Sequence, residues 1–174
     1  MTAISASAQG GGKVLVLVGH PDMEQSKANK AMVNAIKDIP GVRIMDVYAE
    51  EFALENYRQA VKDASVLVMQ FPFYWASAPS EMKRWQDEIF MHLMEEVAGK
   101  KMMVATTTGS EYDAYRSGGR NGYTMDELLR PYQLSANVAQ MEWLTPFVLY
   151  QAGDDNNVKT GAAKYSETIR TLLK

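Results

Sequence analysis

The chain of 174 residues contains no cysteine, and that absence removes disulfides, thiolate nucleophiles, cysteine-held iron–sulfur clusters and zinc ribbons together. Histidine is nearly as scarce, and two residues cannot build a multi-histidine metal centre. Positive charge is not in excess either. Eighteen lysines and arginines stand against 21 acidic residues, a net charge of −3, so no global field favours nucleic acid or anionic lipid and neither is expected as a partner. No apolar run approaches the roughly 20 residues that span a bilayer. The N-terminus also lacks the basic start and apolar stretch of a signal peptide, so a cytoplasmic protein is expected. Any redox chemistry must be borrowed from a cofactor.

What is present is the balance of an ordinary globular protein, 47% hydrophobic and 22% charged. The length suits one domain with a sizeable core. Residues 1–12, small and polar and ending in Gly10-Gly11-Gly12, are expected as a flexible arm, and 13–174 as the single domain.

Lys13 to Val18 is a continuous apolar run ended by Gly19-His20-Pro21, the pattern of a strand covered on both faces. From Ser26, apolar residues recur at helical spacing until Pro40-Gly41 stops them. Val42 to Tyr48 supplies a second strand, Leu54 to Lys62 a second helix, and Ser65 to Phe71 a third strand. A long helix is expected after Pro79, with Met82, Trp85, Ile89 and Leu93 along one face and Gly99 at its end. Lys101 to Thr107 reads as the fourth strand, and Thr124-Met125-Asp126-Glu127 as a capping box opening a helix to about Ser135. Val138 to Tyr150, broken at Thr145-Pro146, reads as the last strand, and Ala162, Tyr165, Ile169 and Leu172 mark a closing helix. Five strands alternating with helices argue for an α/β, doubly wound parallel sheet of order 2-1-3-4-5, with helices on both faces. The winding then reverses between strands 1 and 3, and the loops after strands 1, 3 and 4 border the crevice where ligands bind.

Those three loops hold the least ordinary segments of the chain. In the first, Gly19-His20-Pro21 and Ser26-Lys27-Ala28-Asn29 place free N–H groups and the positive end of a helix where an anion would sit, unless Ser26 merely caps the helix. Neither G-x-G-x-x-G nor G-x-x-x-x-G-K-[ST] is present, so a single phosphate or a flavin pyrophosphate fits better than a dinucleotide or a triphosphate. The second loop, Phe71-Pro72-Phe73-Tyr74-Trp75-Ala76, carries four aromatics. Phe71 and Phe73 suit packing, whereas Tyr74 and Trp75 suit a planar ligand. The third, Thr106-Thr107-Thr108-Gly109-Ser110-Glu111, offers hydroxyls and amides against which a flat ring can lie.

Read in order, G-H-P, S-x-x-N, P-x-x-W, the run Pro79, Lys83, Trp85, Asp87, then T-T-G, L-L-R-P and T-P-F resemble the flavodoxin-like NAD(P)H:quinone oxidoreductases. The bacterial branch that includes ancillary subunits of glutathione-gated potassium efflux systems is especially similar. The resemblance implies a flavin, FMN or FAD, with its phosphate region at His20 and Ser26, Lys27, Ala28 and Asn29. The ring would then lie against Pro72, Phe73, Tyr74, Trp75 and Ala76 and against Thr107, Thr108, Gly109, Ser110 and Glu111. It implies ping-pong transfer of two electrons from NADPH or NADH to a quinone. It also implies a homodimer with active sites at the interface, and raises the alternatives of a regulatory flavoprotein subunit on a membrane transporter or a flavodoxin-type electron carrier. Ser110 stands where the family often has a second glycine, and Met91 to Gly99 replaces a longer insertion. Tyr115 falls where the family often places a catalytic tyrosine, with Asn121 in place of an accompanying histidine. The aromatic loop and the apolar face bearing Trp85 are expected to be the exposed surface that a dimer covers.

Overall fold

Every residue of β1 (Val14–Val18) is apolar because the strand has no free face and no free edge. In the computed structural model, which describes residues 13–174, it lies in parallel between β2 (Val42–Asp46) and β3 (Val66–Pro72), with β4 (Lys101–Thr107) beyond β3. The sheet order is β2-β1-β3-β4-β5, with β5 (Glu142–Trp143) and β6 (Phe147–Leu149) sharing the outer edge of β4. The expected α/β architecture and strand order are thus present. The arm expected for residues 1–12 lies outside the described residues.

Alternation along the strands builds two cores. Val14, Val16 and Val18 face α1 (Ala28–Ile36) and α7 (Asp155–Leu172), packing with Met32, Ile36, Tyr165 and Ile169. Leu15 and Leu17 face the other way, toward Tyr57 of α2 (Leu54–Asp63) and Met82 and Trp85 of α3 (Ser80–Glu88). α4 (Met94–Val97), α5 (Met125–Leu128) and α6 (Arg130–Val138) complete that layer. Among the described residues no helix is long and apolar enough to cross a membrane.

Four elements differ from the sequence expectation. The long helix after Pro79 is three pieces: α3, a 3-10 turn at Phe90–His92, and α4. The break lets Phe90 fold onto Trp85, ring centroids 5.6 Å apart, and brings Glu96 to Arg58 of α2. The helix opened by the Thr124–Glu127 capping box stops at Leu128 and restarts as α6, running to Val138. Pro131, with no N–H, cannot continue the first helix but suits the first turn of the second. The last strand is two fragments rather than one run from Val138. Residues 144–146 lie opposite only 103–104 of β4, a one-residue bulge centred on a segment that includes Pro146, which cannot donate to the ladder. Finally, Trp85 is fully buried, wedged against Tyr57 and Phe90, and is no part of an exposed face. The exposed large apolar side chains in this region are Met91, Leu134 and Val138.

Candidate functional site

Burying a polar group is costly unless it is hydrogen-bonded, so where a fold collects such groups is informative. Among the described residues the buried polar side chains are His20, Ser26, Asn29, Gln70, Thr106, Thr107 and Thr108. All lie at the carboxyl ends of β1, β3 and β4 or at the head of α1, where the winding reverses.

At the first loop, Ser26 Oγ accepts the Asn29 N–H at 3.1 Å and so caps α1. Its hydroxyl proton remains for an anion, and the Lys27 and Ala28 N–H groups have no intrahelical acceptor. The Lys27 ammonium is turned away, paired with Asp155 at 2.8 Å and donating to Gly153 O at 3.2 Å, so only its backbone faces the crevice. Ala28 packs its methyl into the core. Asn29 is buried, and its Nδ2 donates to Thr107 Oγ1 at 3.1 Å. Gly19 lets the end of β1 pack closely on α3, where a Cβ would crowd Met82 Cβ at 3.0 Å and Val47 at 3.3 Å.

At the second loop, Tyr74 and Ser77 exchange backbone hydrogen bonds of 3.0 Å each way. Between them Trp75 (φ 48°) and Ala76 (φ 62°) both occupy the left-handed region, as a type I′ turn requires. For two non-glycine residues this costs on the order of 1–3 kcal/mol apiece, and the turn is held by anchors on other elements. Phe73 N–H donates to Thr107 O at 2.9 Å and Ala78 N–H to Tyr132 Oη at 2.7 Å. Phe71 is buried against Tyr132, Phe73 is half-buried, Tyr74 is exposed, and Trp75 stands fully in solvent at the tip. Pro72 ends β3 and is buried.

His20 joins these two loops. Its Nδ1 accepts the Asp22 N–H at 3.1 Å, so the ring proton sits on Nε2, which donates to Tyr74 Oη at 3.3 Å. Burial holds the imidazole below its ordinary pKa despite the attraction of Asp22 and Asp46, and burial likewise pushes Asp46 up.

At the third loop, Thr106 Oγ1 donates to Phe71 O at 2.7 Å and Thr108 Oγ1 to Ser110 O at 2.9 Å. Among the described residues the N–H groups of Gly109, Ser110 and Glu111 have no hydrogen-bond acceptor, and a Cβ at Gly109 would meet nothing within 4 Å. Ser110 Oγ accepts from Arg120 at 2.8 Å, and Arg120 also reaches Glu111. Arg120 is carried by a loop folded tightly onto Tyr112–Tyr115, where a Cβ on Gly119 would lie 2.3 Å from Asp113 O. Asn121 is exposed and donates its backbone N–H to Ala114 O.

Tyr115 is half-buried, edge-on to Phe73 at 6.4 Å and 6.1 Å from Tyr150. With Tyr112, Arg116, Asp126 and Tyr150 it lines a cavity of about 320 Å³. Burial, with Tyr112 and Asp126 nearby, pushes the Tyr150 hydroxyl up to about 12. Gln70, Arg120 and Tyr150 escaped the sequence reading. The strand pattern around Gln70 was its one available signal, since a glutamine interrupts an otherwise apolar run.

A family model described as a flavodoxin-like fold matches residues 12–173. The glutathione-regulated potassium-efflux system ancillary protein KefG of Cronobacter sakazakii (strain ATCC BAA-894) is 35% identical over 150 residues, 80% of this chain and 82% of its own. The uncharacterized NAD(P)H oxidoreductase YrkL of Bacillus subtilis (strain 168) is 33% identical over 148 residues, 79% of this chain and 85% of its own. Among solved structures, general stress protein 14 of Treponema denticola in complex with FMN superposes with a TM-score of 0.84. At 24% identity, covering 92% of this chain and 99% of that one, it shows the shared fold.

The His20 arrangement sets a pH dependence. Because the folded pKa lies below the unfolded value near 6.5, the unfolded chain binds more protons as the pH falls through that value. The stability this site contributes is therefore full above about pH 6.5 and lost on acidification toward the folded pKa. Urea midpoints at pH 7.5 and pH 5.5 should fall with pH in the wild type and fall less in His20→Asn. Equal falls in both proteins would remove His20 as the source.

Proposed function

The chain belongs to the flavodoxin-like fold family that also holds an NAD(P)H oxidoreductase and potassium-efflux ancillary proteins, and from that premise we propose that it is a cytoplasmic flavin-dependent NAD(P)H:quinone oxidoreductase. Its cofactor is FMN, or FAD, and its reductant NADPH or NADH. The observation that carries the reading is the gathering of the buried polar side chains at one switch point, between a helix head, a strained aromatic turn and a row of open amides. The donor set fits the group. A flavin mononucleotide has a phosphate for the Ser26 hydroxyl and the α1 head, a ring for Tyr74 and Trp75, and a polar ring edge for the amides of Gly109, Ser110 and Glu111. The same fold holds FMN in the Treponema protein.

The flavin, when bound, supplies the two-electron chemistry that a chain without cysteine lacks. The overall reaction balances as NAD(P)H + H⁺ + quinone → NAD(P)⁺ + hydroquinone, with the two substrates using one place in turn. The head of α1 binds and orients through its N–H groups and dipole. The turn at Tyr74–Ser77 borders the site and would offer its aromatic side chains to the ring. Tyr115 donates its O–H toward negative charge that develops during transfer and so favours the transition state over the ground state. Ser110, where the family often has glycine, leaves its amide open and directs its hydroxyl to Arg120.

The protein is proposed to act as a homodimer. In place of the Trp85 face, the apolar surface available is a groove of about 390 Å³ bordered by Phe90, Met91, Met94, Leu134 and Val138. The similarity to KefG favours a second reading, a flavoprotein subunit on a potassium-efflux transporter. Steady-state turnover of NADPH with a quinone separates an enzyme from an electron carrier, and retention on an immobilised efflux transporter marks the subunit.

Three outcomes are expected. The protein purifies yellow or quenches FMN fluorescence, and Ser26→Ala weakens FMN binding by about ten- to a hundredfold, the loss of a hydrogen bond to a charged group. A colourless protein without FMN affinity overturns the reading. Tyr115→Phe slows stopped-flow flavin reduction by NADPH or NADH by up to about a hundredfold with FMN affinity intact, and a rate within twofold of wild type removes Tyr115 from catalysis. Sedimentation at low micromolar concentration gives a dimer, and a monomer alone counts against the groove as an interface.

A further inference from the structure

Beneath the crevice runs a chain of buried hydrogen bonds with no assigned task. Gln70 of β3 has no exposed surface and lies in register between Val18 of β1 and Ala105 of β4. Its Nε2 donates to Asn29 O at 3.2 Å and to Asn29 Oδ1 at 3.3 Å. Asn29, 1% exposed, donates from Nδ2 to Thr107 Oγ1 at 3.1 Å, and Thr107, at the end of β4, is 5% exposed. Gln70 Oε1 has no partner among the described residues. A methionine or leucine would suit a strand reading Val-Leu-Val-Met on either count of packing or propensity, and would leave no orphaned acceptor.

The chain has a direction. Both groups that Gln70 meets on Asn29 are carbonyl oxygens, which only accept, so Gln70 must present its nitrogen. Asn29 then has its oxygen toward Gln70 and its nitrogen toward Thr107. The Thr107 oxygen is thereby an acceptor from Asn29, and its own proton is left to be donated elsewhere. No acceptor for that proton lies within hydrogen-bond reach among the described residues.

We propose that Gln70 is a positioning residue that, through Asn29, sets the Thr107 hydroxyl as a hydrogen-bond donor to an acceptor oxygen of the ligand bridging the head of α1 and the end of β4. The inference rests on the flavin reading and names a residue that need not touch the flavin. It accounts for a buried glutamine in an apolar strand and for a tie between the phosphate-side helix and the ring-side loop. A residue that acts only through Thr107 has no effect of its own once the Thr107 hydroxyl is gone.

The experiment is a double-mutant cycle on FMN binding by the apoprotein, read by fluorescence quenching, with thermal melts of each apoprotein by circular dichroism. Gln70→Met and Thr107→Val should each weaken FMN binding about tenfold, one hydrogen bond's worth. The double variant should bind no more weakly than Thr107→Val, and Thr107→Ser should bind as wild type does. Binding by Gln70→Met within twofold of wild type, or losses that multiply to about a hundredfold in the double variant, would overturn the proposal. Should Gln70→Met not fold, Asn29→Asp takes its place. It keeps the shape and the acceptor for Gln70 but captures the Thr107 proton, and riboflavin is then the probe because it carries no phosphate for the added charge to repel. Here too, non-additivity with Thr107→Val supports the proposal and multiplying losses overturn it. Wild-type protein that quenches neither FMN nor riboflavin fails the flavin reading itself, an outcome distinct from either result of the cycle.

Discussion

β1 is hydrogen-bonded to a parallel strand on each edge, and the geometry of the crevice descends from that double pairing. A parallel neighbour can be reached only by a crossover, and the crossover from β1 to β2 uses α1 on one face while that from β3 to β4 uses α3 and α4 on the other. The chain therefore leaves the carboxyl ends of β1 and β3 in opposite directions, and the gap between them has no covering helix. Continuous burial of Val14 to Val18 is the sequence cost of this placement.

The gap is rigid because groups from different elements over-determine it. Trp75 and Ala76 sit in backbone conformations that neither would choose alone. They are kept there by the Tyr74–Ser77 pair, by Thr107 O from the neighbouring strand, by Tyr132 of α6 and by His20 of the opposite loop. Such strain persists only where the surroundings hold it, and it concentrates at ligand sites. The same construction recurs at the third loop, where Arg120 grips Ser110 from a loop that only a glycine at position 119 allows to close so tightly.

Electrostatics at the switch point favour neutral donors over fixed charges. The Lys27 ammonium is spent on Asp155, the imidazole of His20 is held neutral by burial, and the open amides of Gly109 to Glu111 carry no charge. Oriented dipoles of this kind hold an anion without the desolvation penalty of a buried cation, which is consistent with the proposed flavin phosphate at the head of α1.

The sequence by itself determined the layered α/β fold, the order of its strands, the helix start marked by Thr124–Glu127, and the three loops that meet, whereas α1 ends at Ile36, short of the Pro40-Gly41 stop. These follow from period, chain stiffness and the crossover rule, which are local or topological. Tertiary structure alone decided that Trp85 is core and not interface, because the same apolar stripe along α3 would serve either role until Tyr57 and Phe90 close over it. It decided that the helix after Pro79 breaks, that the last strand slips by one residue at Pro146, and that Asn29 turns its amide inward to Thr107. Each of these depends on what stands opposite in space, between residues such as Gln70 and Asn29 that are 41 positions apart in the chain, and no pattern along the sequence carries that information.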